Sequence, residues 1–211
     1  MFVAEKRILS MELGILLSQV EELMGRRSLI VLLRKAGLRE YIDRLPPLSD
    51  RPNITVAQYS ALLANTYFTF GAPEARHIFV RTGRLLAVEL RHRRASQFAL
   101  AGTALKLLPA TKGMHYVLQK LADQGAEMYG ASYQLDEDAE ALFFEIADCP
   151  YCAEIARQGQ ERNWPVTRAV CHVPTAILEE MMEWITGEKH LVEEVACVAL
   201  GADVCRFRIG K

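Results

Sequence analysis

Apolar residues between positions 10 and 36 recur at helical spacing: Leu13, Leu16, Leu17, Val20, Leu23 and Met24, then Leu29, Ile30, Leu32 and Leu33. Gly25 divides the series, which predicts two helices in succession, and Gly37 after Lys35 reads as a C-cap. Arg44 to Asn53 (RLPPLSDRPN) is proline-rich turn chemistry and predicts a loop. It separates an N-terminal helical segment, residues 1–50, from a domain over residues 51–211. A further helix starts at Thr55, with Tyr59, Leu62, Leu63 and Tyr67 on one face, and Gly71 and Pro73 interrupt it. A long helix is expected from Glu74 to about Arg94, then a short one from Phe98 to Leu108 that Pro109 ends. Thr111 to Asp123 is amphipathic, with Met114, Val117, Leu118 and Leu121 inward.

The period then changes to two. Glu127 to Leu135 and Ala139 to Ala147 predict paired strands around Asp136-Glu137-Asp138. Val173 to Thr186 is helical, with Gly187 as its stop. Lys189 to Ala199 and Val204 to Ile209 predict a second hairpin across Gly201-Ala202-Asp203. Helices followed by β-β-α-β-β indicate the α+β class, an antiparallel sheet packed on helices.

Composition narrows the class without redirecting it. The 211 residues suffice for one substantial core, and 51% hydrophobic with 24% charged residues is globular usage. No apolar run approaches the ~20 residues of a membrane span, and the start MFVAEKRILSMELG lacks the apolar centre of a signal peptide. A cytoplasmic protein without a membrane span is expected. The net charge of −1 gives no pull toward nucleic acid. Arg81, Arg84, Arg91, Arg93 and Arg94 read as a solvated helix face, with Arg81 or Arg84 available to an acidic ligand group.

Five cysteines in a reducing compartment point to thiols or metal ligands before disulfides. Cys197 and Cys205 flank a tight turn, so the strands bring their sulfurs together, and Cys171 stands just ahead of a helix. Glu194 precedes Cys197 by three, and in an ideal strand such residues face opposite ways. Both can reach one ion only if the strand bulges or ends there. Soft thiolates favour zinc, although the same cysteines would also serve as small buried hydrophobes. Cys149 and Cys152, in DCPYC, could form half of a zinc site or a redox couple. A thioredoxin-type role needs a helix N-terminus within a βαβ unit; this pair follows an antiparallel strand. There is no HExxH, GxSxG, GxGxxG or GxxxxGK[ST] pattern, so no nicotinamide, flavin or nucleotide site is indicated by these motifs.

The elements PVTRAVC and EVACVALGADVCRFRI, with FGAPEARHIFVRTGRLLA upstream, resemble the 4-vinyl reductase domain family over roughly Thr55 to Ile209. That family is similar in fold to nitric-oxide-sensing and TRAPP trafficking domains and includes the effector-sensing domains of phenol-responsive activators. The resemblance implies a zinc ion held by Cys171, Glu194, Cys197 and Cys205, with Cys149 and Cys152 as alternative ligands. It implies a sensor that binds a small hydrophobic molecule (an aromatic, a hydrocarbon or lipid-like compound, or a tetrapyrrole) and has no catalysis of its own. The alternative is an accessory protein or enzyme of (bacterio)chlorophyll synthesis acting at the C8 vinyl group, a 4-vinyl reductase. Leu105, Leu108, Met114, His115, Tyr116, Val117, Phe144 and Trp164 are candidates for the pocket wall. A homodimer built through helices is expected from the apolar N-terminal helices and the Tyr59/Leu62/Leu63 face.

Overall fold

The computed structural model describes residues 5–93 and 109–211. The expected helix from Phe98 to Leu108, and with it Leu105 and Leu108, lies outside the described residues. The chain runs β1 (Arg7–Leu9), α1 (Ser10–Lys35), β2 (Pro52–Thr55), α2 (Val56–Phe70), α3 (Ala72–Arg93), α4 (Ala110–Tyr129), β3 (Ser132–Glu137), β4 (Ala141–Ala147), α5 (Ala153–Glu161), α6 (His172–Thr186), β5 (Val192–Ala196) and β6 (Val204–Gly210). This is the expected α+β class. An antiparallel sheet in the order β3-β4-β6-β5 carries helices on one face, and β1 and β2 form a separate two-stranded ribbon.

Gly25, at φ 81 and ψ 161, breaks α1 into two helical stretches, as the spacing predicts. Both halves turn their apolar residues inward: Leu13, Leu16, Leu17 and Val20 before the break, and Leu29, Leu32 and Leu33 after it, are fully buried. Thr55 opens α2 with a capping box, accepting from the Gln58 amide while the Gln58 side chain accepts from its own. Tyr59, Leu62 and Leu63 then face the core and are buried within the same chain. The surface on which the expected homodimer rested is thus covered internally. At the α3–α6 crossing a Cβ on Gly83 would stand 2.4 Å from the Val173 carbonyl oxygen, so glycine there sets how closely the helices approach.

Phe144 of β4 pairs with Phe207 of β6, Ile146 with Cys205 and Leu142 with Ile209, and all six side chains are buried beneath the helices. The opposite face is solvated: Arg206 lies over the Phe143 ring and 3.3 Å from Glu145. Three boundaries differ from the sequence expectation. Glu127 to Tyr129 complete α4, which stops at Gly130 in the left-handed conformation; the alternation begins only after that cap. The last hairpin is shorter, because Val198–Leu200 forms a 3-10 turn. Helix α5 has no counterpart in the sequence expectation. It buries only Ile155, Gln158 and Gly159, too few apolar residues to write a helical stripe. Among the described residues no helix is long and apolar enough to cross a membrane.

Candidate metal centre and the neighbouring cavity

All five cysteine side chains are buried and meet at one end of the sheet. The Cys149 loop leaves β4, and Ser60 of α2 donates to the Pro150 carbonyl at 2.7 Å to hold it. Cys152 is the N-cap of α5 and Cys171 the N-cap of α6. Cys205 stands on β6, and Cys197 follows the end of β5. Cys149 Sγ lies 3.6 Å from Cys171 Sγ, Cys152 Sγ 3.3 Å from Cys205 Sγ, and Cys171 Sγ 3.5 Å from Cys205 Sγ.

The bulge demanded by Glu194 and Cys197 is present. Glu194 pairs with Phe207 and Ala196 with Arg206, so β5 spends two residues where β6 spends one. The additional residue reverses the alternation and brings Glu194 and Cys197 to the same side. Glu194 Oε2 accepts from the Cys171 amide at 3.0 Å, while its buried Oε1 has no partner. Burial, and then the Cys197 thiol, raise the Glu194 carboxyl to about 8. Cys197, hydrogen-bonded by Cys152, and Cys205, hydrogen-bonded by Cys149, are drawn down to about 6. Burial raises Cys149 and Cys171.

Two groups of four donors emerge, Cys149, Cys152, Cys171 and Cys205, and Cys171, Glu194, Cys197 and Cys205. Within each, the ligating atoms all lie within 4.8 Å of one another. Both the set implied by the resemblance and its alternative are therefore assembled in space. The Cys149–Cys152 pair does sit at a helix N-terminus, but β4 and β5 belong to an antiparallel sheet without βαβ topology.

Beside the cysteines lies an apolar cavity of about 70 Å3 between α1, α3, α4, α6 and the sheet, with Leu86, Leu121, Phe144 and Leu178 in its wall. Of the candidate wall residues, Phe144 is there. His115 is on the surface with Nε2 3.0 Å from Glu137, Tyr116 is half-buried under Lys120, and Trp164 is 60% exposed against Phe68. Helical phase explains this: the last turns of α4, not its first, reach the cavity through Leu121, Gln124, Gly125 and Met128. Met114 and Val117 are packed in the core. Arg81 engages Glu22 at 2.6 Å, and Arg84 lies 3.8 Å from Glu179 and 3.7 Å from Glu180 at the surface.

The cavity has a polar corner that the sequence did not reveal. Glu12 of α1 is buried there; Tyr129 donates to its Oε2, Tyr151 donates to the Tyr129 hydroxyl at 3.0 Å, and Glu12 Oε1 has no partner. Desolvation raises this carboxyl to about 7, against the lowering effect of the Tyr129 bond. Tyr151 is the residue between Pro150 and Cys152, so one loop forms both a wall of the cavity and an edge of the cysteine cluster.

Residues 142–211, which contain all five cysteines and Glu194, match the model of the 4-vinyl reductase domain. A stretch of 110 residues is 28% identical to the bacteriochlorophyll synthase 23 kDa chain of Cereibacter sphaeroides, covering 52% of this chain and 49% of that one. The match thus spans about half the length of that relative. The structure is similar to the phenol-responsive sensory domain of the transcription activator PoxR with phenol, at a TM-score of 0.52 and 17% identity over 76% of this chain and 77% of that one. It is also similar to an H-NOX family structure from a study of heme distortion (TM-score 0.57, 14% identity, 96% and 93% covered). An H-NOX protein from S. oneidensis in the Fe(II)NO state is a third (TM-score 0.53, 11% identity, 94% and 98% covered). With its cysteines in the matched region and its helices and sheet arranged as in these sensory proteins, the C-terminal third of the chain, residues 142–211, is identified as a 4-vinyl reductase domain.

Proposed function

We propose that this chain is a ligand-binding sensory domain whose cavity takes a small, largely apolar molecule, with structural zinc at the cysteine cluster. The observation that carries the reading is the cavity itself. Its wall is apolar apart from a buried carboxyl with an unpartnered oxygen, the pattern of a site that holds an apolar body by one polar contact. At about 70 Å3 it exceeds the roughly 10–15 Å3 that one water needs. It is smaller than the roughly 150 Å3 cavity known to admit benzene, which favours compact aromatics and short hydrocarbons. The likeness in fold to a phenol-bound sensory domain points the same way.

Zinc fits the donors on chemistry alone. Thiolates and a carboxylate are its usual ligands, and the orphaned Glu194 Oε1 is an acceptor in want of a cation. Held by Cys171, Glu194, Cys197 and Cys205, the ion would have four protein ligands and no open position, hence a structural role. The domain acts in the cytoplasm without catalysis of its own, and its output passes through a partner.

Phenol, toluene and indole at millimolar concentration, added to the zinc-loaded chain, test the reading by melting temperature. A saturable rise with at least one is expected, abolished when Leu121→Phe narrows the cavity. No rise with any of the three, and no apolar molecule released from freshly purified protein in mass spectra, would overturn it. The bacteriochlorophyll synthase relative motivates a second reading, an accessory role at a tetrapyrrole vinyl group. A tetrapyrrole is far larger than the cavity. Visible absorption retained through gel filtration after incubation with chlorophyllide would favour that role.

A further inference from the structure

We propose that the cluster holds two zinc ions, bridged by the thiolates of Cys171 and Cys205; this rests on the reading of the cluster as a zinc site. The two donor groups share Cys171 and Cys205 and nothing else. What remains divides evenly, Cys149 and Cys152 on one side, Glu194 and Cys197 on the other. Two tetrahedra that share an edge need six donors, two common and two terminal on each ion. The cluster supplies six.

The distances agree with that plan. A Zn–S bond of about 2.3 Å gives a tetrahedral edge of about 3.8 Å between sulfurs. The shared pair stands 3.5 Å apart, and each shared sulfur has a terminal sulfur of the first group at 3.6 or 3.3 Å. Small adjustments outward would seat an ion in each group.

A single ion leaves the arrangement unfinished whichever group it takes. In the four-cysteine group it would strand Glu194, whose Oε1 is buried without a partner, together with buried Cys197. In the other group it would leave Cys149 and Cys152, both fully buried, pressed against sulfurs already bound. Two ions engage every donor. Five thiolates and one carboxylate around two dications leave a charge of −2, the same as one zinc in four thiolates. The surroundings can bear it: the N-termini of α5 and α6 begin directly after Cys152 and Cys171, and the Val198 amide donates to Cys205 Sγ at 3.4 Å.

Native mass spectrometry of the full chain, purified with zinc and a thiol reductant and without chelator, reads the stoichiometry directly. The expected mass is that of the polypeptide plus two zinc ions, falling to one in the Cys149→Ser/Cys152→Ser double variant. One zinc in the unaltered chain overturns the bridged pair and leaves the single-ion reading standing; none overturns both. Should the double variant fail to fold, the cadmium-113 form of the unaltered chain decides. Two resonances that split one another through shared sulfur support the bridge, and a single resonance refutes it.

Discussion

Glu12 carries the clearest consequence of a single side chain. Its carboxyl is raised to about 7 in the folded protein because burial disfavours the charged form. Between its ordinary value near 4.5 and about 7 the folded state keeps a proton that the unfolded state releases. Stability therefore falls as pH rises through that window, by roughly 3 kcal/mol in all, and the penalty is absent below it. Glu12→Gln, which cannot ionise but still accepts from Tyr129, should gain on the unaltered protein in urea midpoint between pH 5 and pH 8. An equal difference at both pH values would show that Glu12 titrates normally. Gly83→Ala is a purely steric counterpart: its methyl meets backbone at the α3–α6 crossing, and a loss of about 1–3 kcal/mol in denaturant midpoint is expected. Neither residue announces itself in the sequence. An acidic residue in the first turn of a helix is what the helix dipole ordinarily favours, so Glu12 reads as surface until α4 and β4 are folded over it. Phe144, by contrast, was legible as a cavity residue because strand alternation fixes its side of the sheet.

The final hairpin was the most legible element. Its two cysteines, its turn and the acidic residue three positions ahead require a bulge on strand geometry alone, and the register shift between Glu194 and Ala196 supplies it. Illegible was the convergence of Cys149 and Cys152 on the same point, which depends on the unforeseen helix α5 and on α2 holding Pro150. The cluster ties β4, α5, α6 and the hairpin together, so zinc affinity becomes part of the folding free energy, on the order of 10 kcal/mol in small zinc modules. Cys197→Ser should lower both zinc content and melting temperature; full zinc retention in that variant would remove Cys197 from the site. Because Tyr151 joins the cysteine loop to Tyr129 and Glu12, stripping zinc should also weaken phenol binding. Calorimetry with and without chelator treatment checks this, and equal affinity would show that the cavity and the metal are independent.

At the scale of the molecule, the proline-rich loop suggested a boundary near residue 50, and the structure shows how much crosses it. β1 pairs with β2 across the loop, the Ser10 amide donates to the Arg51 carbonyl at 2.8 Å, and that of Met11 to the Ser49 carbonyl at 3.0 Å. Met11 and Glu12 belong to the cavity wall, while α1 lies against α3. Turn composition marks where a chain bends; it carries no information about whether the pieces on either side share a core. Here they do. Leu13, Leu16, Leu17, Val20, Leu29, Leu32 and Leu33 are all fully buried. At about 1.5–3 kcal/mol for each such side chain, their burial rivals the roughly 5–15 kcal/mol that keeps a domain folded. A chain beginning at Arg51 should therefore lose its cooperative thermal transition and its near-ultraviolet dichroism, even with zinc supplied to the intact cysteines. If it melts cooperatively near the temperature of the full chain, the N-terminal helix is an appendage and the cavity is built without it.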